Sequence, residues 1–141
     1  MDKSQQFNPD IYKHWTEDHV RFSDLDPVGH VNNNAISQYF ENARAFLYMT
    51  ITPSWPQGER VFVLAHIAID YRRELHMPAD LRIGTGLLRI GRTSVTVANA
   101  LFRGEDGIAW CESVSVLIDQ KTRNPMEIPP DLRQHCERYM L

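Results

Sequence analysis

The sequence predicts an α+β fold in which an antiparallel sheet of about five or six strands wraps around one long central helix. First, apolar residues recur at three- and four-residue steps from Ile36 to Leu47, which indicates one buried helix face. Second, residues 61–119 alternate between two sets of side chains in four strand-length stretches. Third, short turns separate those stretches, which favours antiparallel neighbours.

The N-terminal third predicts an edge segment, a strand and a loop. Residues 1–16 have no period and are interpreted as a tail or edge segment. Residues His19 to Asp24 alternate and predict a half-buried strand. Residues 24–34 contain a proline, a glycine and three asparagines, which is typical of a loop that ends in a helix N-cap.

The remaining elements follow the same patterns. The helix is expected to end at residues 50–52, because Pro53 cannot continue it. A break at residues 76–79, a turn at Gly91 and Arg92, and a hairpin signal at residues 104–107 divide the strand region. Residues 129–141 predict a C-terminal helix. With no repeat or linker, residues 1–141 are expected to form a single domain.

Composition and charge exclude several classes of protein. Hydrophobic residues make up 43% and charged residues 23% of the 141 residues, an ordinary globular balance. The formal net charge of -3 argues against a nucleic-acid partner, because nucleic acids bind to basic protein surfaces. We expect no membrane span and no signal peptide, and therefore a cytoplasmic location. The two cysteines, Cys111 and Cys136, have no disulfide or metal-binding spacing.

The second face of the sheet is also apolar, which predicts an oligomer. The central helix can cover only one face, so the other needs a partner, and a copy of the same chain is the simplest one. We therefore expect a homodimer, or a homotetramer built from dimers. The residues assigned to this second face are Phe62, Leu64, Leu88, Ile90, Ala100 and Phe102.

The loop before the helix contains the only dense polar cluster placed where a site could form. It includes Asp24, Asp26, His30 and three asparagines, and it leads into the start of the longest helix. A helix N-terminus presents unpaired backbone N–H groups that can stabilise a developing oxyanion. A carboxylate a few residues earlier can activate water or attack a carbonyl carbon directly. Carboxylate and helix start together favour acyl transfer.

These residues resemble a known family. The run from Asp24 to Asn33, followed by the run from Tyr39 to Arg44, resembles the hotdog-fold thioesterases of the 4-hydroxybenzoyl-CoA thioesterase type. The resemblance covers residues 18–120 and implies a hotdog fold. It also implies an enzyme that hydrolyses an acyl-CoA or acyl-carrier-protein thioester, with coenzyme A as part of the substrate and no separate cofactor.

The resemblance also implies roles for particular residues. Asp26 corresponds to the catalytic aspartate, which acts as general base or nucleophile. Asn33 corresponds to the position whose backbone N–H polarises the thioester carbonyl. The turn formed by Arg92, Thr93 and Ser94 corresponds to a region that contacts coenzyme A phosphates in related enzymes.

The chain departs from related branches at other positions. Plant acyl-carrier-protein thioesterases have an asparagine and a histidine after the aspartate; here Val28 replaces the asparagine, and His30 is kept as a catalytic or pocket-lining candidate. Another branch carries its acid on the helix, where Glu41 is a substrate-contacting candidate. At about 100° per residue Glu41 lies some 140° round from Ile36, facing a partner subunit or solvent.

Simpler interpretations accompany each candidate. The simpler interpretation of Asp26 is a residue that shapes its turn and has no catalytic role. Asp24 is expected to be structural and is the second choice for the catalytic carboxylate. A metal site made of Asp24, Asp26 and His30 lacks a clear fourth ligand, so no metal is expected. The other interpretations are a hydrogen-bonded core histidine for His66, packing for Cys111, and either solvated strand ends or phosphate contacts for Arg72, Arg73, Arg89, Arg92 and Arg123.

Two other functions remain open at this point. A non-catalytic subunit that binds an acyl thioester would use the same pocket without releasing thiol. A hydratase on the same fold needs an aspartate and a histidine separated by four residues, whereas Asp26 and His30 are separated by three. Thioester hydrolysis is the function that the sequence favours.

Overall fold

The structure, a computed structural model, describes residues 1–54 and 57–141 and confirms the α+β prediction. Within those residues one antiparallel sheet of five strands packs on one long helix. The strand order is β1-β3-β4-β5-β2, so β1 and β2 form the two edges. The elements are β1 (His14–His19), α1 (Asn33–Ile51), β2 (Arg60–Tyr71), β3 (Asp80–Ile90), β4 (Ser94–Arg103), β5 (Asp106–Asp119) and α2 (Pro130–Glu137).

Helix α1 forms where its periodicity predicts it. The side chains of Ile36, Phe40, Ala43 and Leu47 are at most 3% exposed and face the sheet. Burial of each large apolar side chain stabilises the fold by about 1.5–3 kcal/mol. Asn32 caps the helix, because its side-chain oxygen accepts the backbone N–H of Ala35 at 2.8 Å. The predicted start and end of this helix are confirmed.

The predicted strand from His19 to Asp24 is wrong. The first strand is β1, which lies earlier and pairs with β3 from His14 opposite Thr85 to His19 opposite Asp80. After it the chain enters a 3-10 turn at Phe22–Asp24, because the Asp24 carboxylate accepts the backbone N–H of Arg21. Phe22 is consequently 81% exposed. The alternation of side chains in the sequence extends to Asp24, whereas the strand ends at His19 and the turn follows.

The expectation for the second sheet face is corrected in part by two β-bulges. In β2 the register shifts between Leu64 and His66, and Phe62 therefore stacks on Tyr48 of α1, with ring centroids 4.9 Å apart. A similar shift in β3 lies before Ile90, which packs against the helix-side core. A bulge inserts one residue, so all later side chains change face.

The chain itself covers Leu88, Ala100 and Phe102 on that face, whereas Leu64 is 48% exposed. Ala98, Ala100, Phe102 and Trp110 form a cluster beneath the N-terminal segment. The residues packed on this cluster are Phe7, Ile11, Tyr12, Trp15, Leu88 and Leu141. This outer layer covers residues that the sequence assigned to contact with a second copy of the chain.

Glycines allow the outer layer to approach the sheet. A Cβ added at Gly84 would lie 2.7 Å from the Tyr12 ring, and one at Gly107 would overlap the Phe7 ring. Only a residue without a side chain fits at these close approaches. The glycines of β3 and β5 thus select the position of the N-terminal segment.

Three smaller findings complete the fold. The C-terminal helix is α2, shorter than predicted, with Leu132 and Cys136 buried. His66 is exposed on edge strand β2 and is not the core histidine that its apolar neighbours suggested. Among the described residues, no helix combines the length and apolar character needed to cross a bilayer.

Candidate active site

The loop between β1 and α1 is held as a tight turn by Asp26. Its Oδ1 atom accepts the backbone N–H groups of Val28 and His30, each at 3.0 Å. The Asp26 backbone N–H donates to the His30 carbonyl at 2.7 Å, and Gly29 takes a φ of +85°, which suits glycine. The Oδ2 atom of Asp26 has no hydrogen bond among the described residues. One oxygen shapes the turn, and the other is free.

The start of α1 provides the N–H donors that the sequence predicted. The first turn of any helix has N–H groups without intrahelical acceptors. Here Asn32 takes up the N–H groups of Ala35 and Ile36. The backbone N–H groups of Asn33 and Asn34 have no acceptor within the described part of the chain. They carry the partial positive charge of the helix end.

Asp26, His30 and Asn33 come together in one cleft of about 510 Å³. The opposite wall is the end of β2 and the segment after it, held against the loop by the Val31 N–H, which donates to the Leu75 carbonyl at 2.9 Å. The lining residues are Asp26, His30, Val31, Asn32, Asn33, Ile36, Tyr71, Arg72, Arg73, Glu74 and Leu75. The cleft therefore places a carboxylate beside an open helix N-terminus.

Asp24 has a structural position. Its Oδ2 atom accepts the hydroxyl of Tyr39 and the backbone N–H of Arg21. Burial raises the pKa of Tyr39, and the hydrogen bond to Asp24 raises it further. Asp24 thus ties the loop to α1 and does not line the cleft, so the structure does not assemble a metal site from Asp24, Asp26 and His30.

The His30 ring contacts Glu74 and His76. Its Nδ1 atom lies 3.6 Å from Glu74 Oε1, and its ring packs edge-to-face on His76 with centroids 4.7 Å apart. His30 reaches the Asp26 side chain only through its backbone N–H. An aspartate–histidine pair of the kind a hydratase needs is therefore not formed by these two side chains.

Arg92, Thr93 and Ser94 lie at the other end of the sheet. The Thr93 carbonyl accepts the Leu117 N–H, and Arg92 lies 3.9 Å from Glu127. Strand β4 leads away from this turn over ten residues, which is about 33 Å at 3.3 Å per residue. Within one chain the structure does not bring these three residues to the Asp26 cleft.

Two other arginines line the Asp26 cleft, namely Arg72 and Arg73. Both of their backbone N–H groups donate to the Ile108 carbonyl. The sequence placed them in one group with three other arginines and did not predict which of the five lie at the site. The signal was their position directly after the β2 stretch, but only the pairing of Val31 with Leu75 shows that this end of β2 meets the loop.

Glu41 lies in a second cleft farther along α1. It is exposed, as expected, and accepts a hydrogen bond from the Gln38 side chain at 3.2 Å. This cleft of about 310 Å³ also contains Arg44, which is 4% exposed with its Nη1 atom 4.0 Å from Cys111 Sγ. Burial raises the pKa of the Cys111 thiol to about 11, which supports the packing role predicted for it. Glu41 does not share the Asp26 cleft.

The sheet wrapped around one long helix, with a site at the helix start, defines a hotdog-fold protein. A family profile described as the thioesterase-like superfamily matches residues 20–135, and the chain belongs to that superfamily. The uncharacterized protein YsmA of Bacillus subtilis is 31% identical over 78 residues, which are 55% of this chain and 53% of that protein. The chain thus spans about half the length of the curated relative it matches.

Solved structures agree with this assignment. The PA5185 protein of Pseudomonas aeruginosa has a TM-score of 0.85 and 25% identity, covering 94% of each chain. A thioesterase from Thermus thermophilus, solved in complex with coenzyme A and zinc, has a TM-score of 0.81 and 28% identity, covering 89% of this chain and 98% of that one.

Proposed function

We propose that this protein hydrolyses an acyl-CoA or acyl-carrier-protein thioester to a free acid and a thiol. The observation that carries the proposal is the shared cleft of Asp26 and Asn33, with one free carboxylate oxygen and free helix N–H groups. Membership of the thioesterase-like superfamily supports it.

The chemistry needs only these groups. In one route Asp26 takes a proton from water, the water oxygen attacks the thioester carbonyl carbon, and the C–S bond breaks to release a thiolate. In the other, Asp26 attacks the carbonyl carbon, the thiolate leaves, and water then hydrolyses the mixed anhydride. In both, the N–H of Asn33 stabilises the oxyanion. The thiolate, whose conjugate thiol has a pKa of about 8.5, leaves with little acid assistance.

Coenzyme A binding is part of the proposal. The Thermus thermophilus thioesterase binds coenzyme A, which supports the same ligand here. We place its phosphates near Arg72 and Arg73, because guanidinium groups match phosphate oxygens well. Contacts from Arg92, Thr93 and Ser94 would have to come from another copy of the chain. That requirement fits the predicted homodimer or homotetramer.

The test is a thiol-release assay over a panel of acyl-CoAs, with Asp26→Asn as the main variant. We expect kcat to fall by at least about 10²-fold, the usual contribution of a general base. The amide oxygen of asparagine can still accept the Val28 and His30 N–H groups, so the loop is preserved. Asp10→Asn is the matched control, because Asp10 is exposed and does not line the cleft.

Three outcomes contradict the proposal. Full activity in Asp26→Asn would remove Asp26 from the chemistry. Saturable acyl-CoA binding without thiol release from any substrate of the panel would identify a binding subunit. Loss of the conjugated double bond of an added enoyl-CoA, followed in a separate assay, would identify a hydratase.

A further inference from the structure

Three potential metal ligands meet at the edge of the Asp26 cleft. His30 comes from the loop before α1, whereas Glu74 and His76 come from the segment after β2. One ligand atom from each residue lies within 4.8 Å of the other two. His30 Nδ1 is 3.6 Å from Glu74 Oε1, and His76 Nε2 is 3.4 Å from Glu74 Oε2. All three side chains therefore point to one volume.

The backbone aligns these side chains. His30 and His76 form an antiparallel bridge, and the neighbouring Val31 N–H donates to Leu75 at 2.9 Å. Leu75 is 1% exposed and anchors its segment in the core. Two histidines opposite each other on such a bridge have adjacent side chains. The cluster is thus built by the fold rather than by chance contacts of mobile side chains.

The distances suit a tetrahedral ion. Zinc binds histidine nitrogen and carboxylate oxygen at about 2.0–2.2 Å, so neighbouring tetrahedral ligands lie roughly 3.3–3.6 Å apart. The separations of 3.6 Å from His30 Nδ1 to Glu74 Oε1 and 3.4 Å from His76 Nε2 to Glu74 Oε2 fall in this range. Two histidines and a glutamate form a known zinc ligand set that leaves one position for water or substrate.

Ion pairing alone explains the cluster less well. The Glu74 side chain is 66% exposed, and pairs of this kind contribute little to stability. A divalent ion shared by the two rings and the carboxylate would hold all three side chains at one point.

We propose that His30, Glu74 and His76 bind one first-row divalent cation, of which Zn²⁺ fits the ligands best, at the edge of the Asp26 cleft. The sequence predicted no metal, and its alternative set shared only His30 with this one. The bound ion would link the loop of Asp26 to the opposite wall of the cleft. Ion binding does not depend on thioester hydrolysis, so the two proposals can fail separately.

The experiment measures metal binding directly. The full chain is stripped with a chelator and titrated with Zn²⁺ in a calorimeter, and Co²⁺ is used as a visible-absorption probe of tetrahedral geometry. We expect one ion per chain, a tetrahedral Co²⁺ spectrum, and a rise in Tm with Zn²⁺. Glu74→Gln and His76→Ala should weaken binding by at least about 10-fold and abolish the Tm rise.

His66→Asn is the matched control, because His66 is an exposed histidine on β2 outside the cluster. It should bind Zn²⁺ as the unsubstituted chain does. The proposal is overturned if the unsubstituted chain binds no ion. It is also overturned if Glu74→Gln and His76→Ala bind Zn²⁺ with unchanged affinity, which would assign the cluster to ion pairing alone.

Discussion

A single carboxylate performs two tasks at the residue scale. Asp26 Oδ1 holds the turn through two backbone N–H groups, while Oδ2 remains free at the cleft. The bland interpretation, a turn-forming aspartate, and the functional one are therefore both compatible with the geometry. The two interpretations are distinguished by a variant that removes the charge of Asp26 but keeps the oxygen that accepts the backbone N–H groups of the turn.

Substitution by alanine should affect stability more than substitution by asparagine. Asp26→Ala leaves the Val28 and His30 N–H groups without their acceptor, which costs about 1–3 kcal/mol. Asp26→Asn keeps the acceptor, so its free energy of unfolding should lie within about 1 kcal/mol of that of the parent chain. Urea unfolding measures both. Equal free energies of unfolding for the two variants would show that the turn does not need Asp26.

The hydroxyl of Tyr39 should matter for the same loop. Tyr39→Phe removes the donor to Asp24 and should destabilise the chain by about 1.5–3 kcal/mol, the usual range for hydrogen bonds to charged groups. The free energy of unfolding from urea titration is the measurement. No change would show that Asp24 finds another donor in the variant.

The sequence predicts which residues of the loop before α1 belong to the candidate site, but not which residues of the opposite wall do. Asp26 and Asn33 could be named because the run from Asp24 to Asn33 resembles a family whose site lies at the start of the helix. Arg72, Glu74 and His76 could not be placed, because their proximity depends on the pairing of two segments more than forty residues apart in sequence. Local patterns contain no information on that pairing.

At the element scale, the strands were predictable and their faces were not. Alternation locates β2 to β5, but one inserted residue in β2 turns Phe62 toward α1. The same limit explains why the outer layer was missed. Residues 1–16 lack a period, yet Tyr12 is only 4% exposed because it lies over Gly84.

The contact of Tyr12 with Gly84 can be tested by a double-mutant cycle. Gly84→Ala should destabilise the chain by about 1–3 kcal/mol, because the new methyl group overlaps the Tyr12 ring. In a Tyr12→Ala background the same substitution should cost much less, because the ring is gone. Additive free energies of unfolding in the cycle would show that the two residues do not interact.

At the scale of the whole molecule, several buried acidic groups favour neutral forms. Burial raises the pKa of Tyr12 and Tyr48 to about 12 and that of Cys136 to about 11. In the unfolded chain these groups ionise near their ordinary values of 10.0 and 9.0. The folded state thus holds protons that the unfolded state releases.

Stability should accordingly fall at alkaline pH. Below about pH 9 these groups are neutral in both states and contribute their full stability, which is then lost as pH rises toward 12. Urea midpoints measured from pH 7 to pH 11 follow this loss. In Tyr12→Phe the decline with pH should be shallower. A flat profile to pH 11 would contradict the burial of these groups.

Self-association is a property of the whole molecule, and the homodimer or homotetramer stays a prediction. The outer layer removes the original reason for it, but edge strand β2 leaves Leu64 and Tyr71 each 48% exposed. We expect sedimentation equilibrium to give the mass of a dimer or tetramer. A monomer at micromolar concentration would contradict the prediction and leave Arg92, Thr93 and Ser94 without access to the Asp26 cleft.

The chain has three tryptophans, and Trp15 and Trp110 both donate their indole N–H groups to Tyr12. Trp55 lies outside the described residues. The emission of the two described indoles should therefore respond when the N-terminal segment lifts off the sheet. Neither of these two indoles borders the Asp26 cleft, so their emission is not expected to report on ligands bound there.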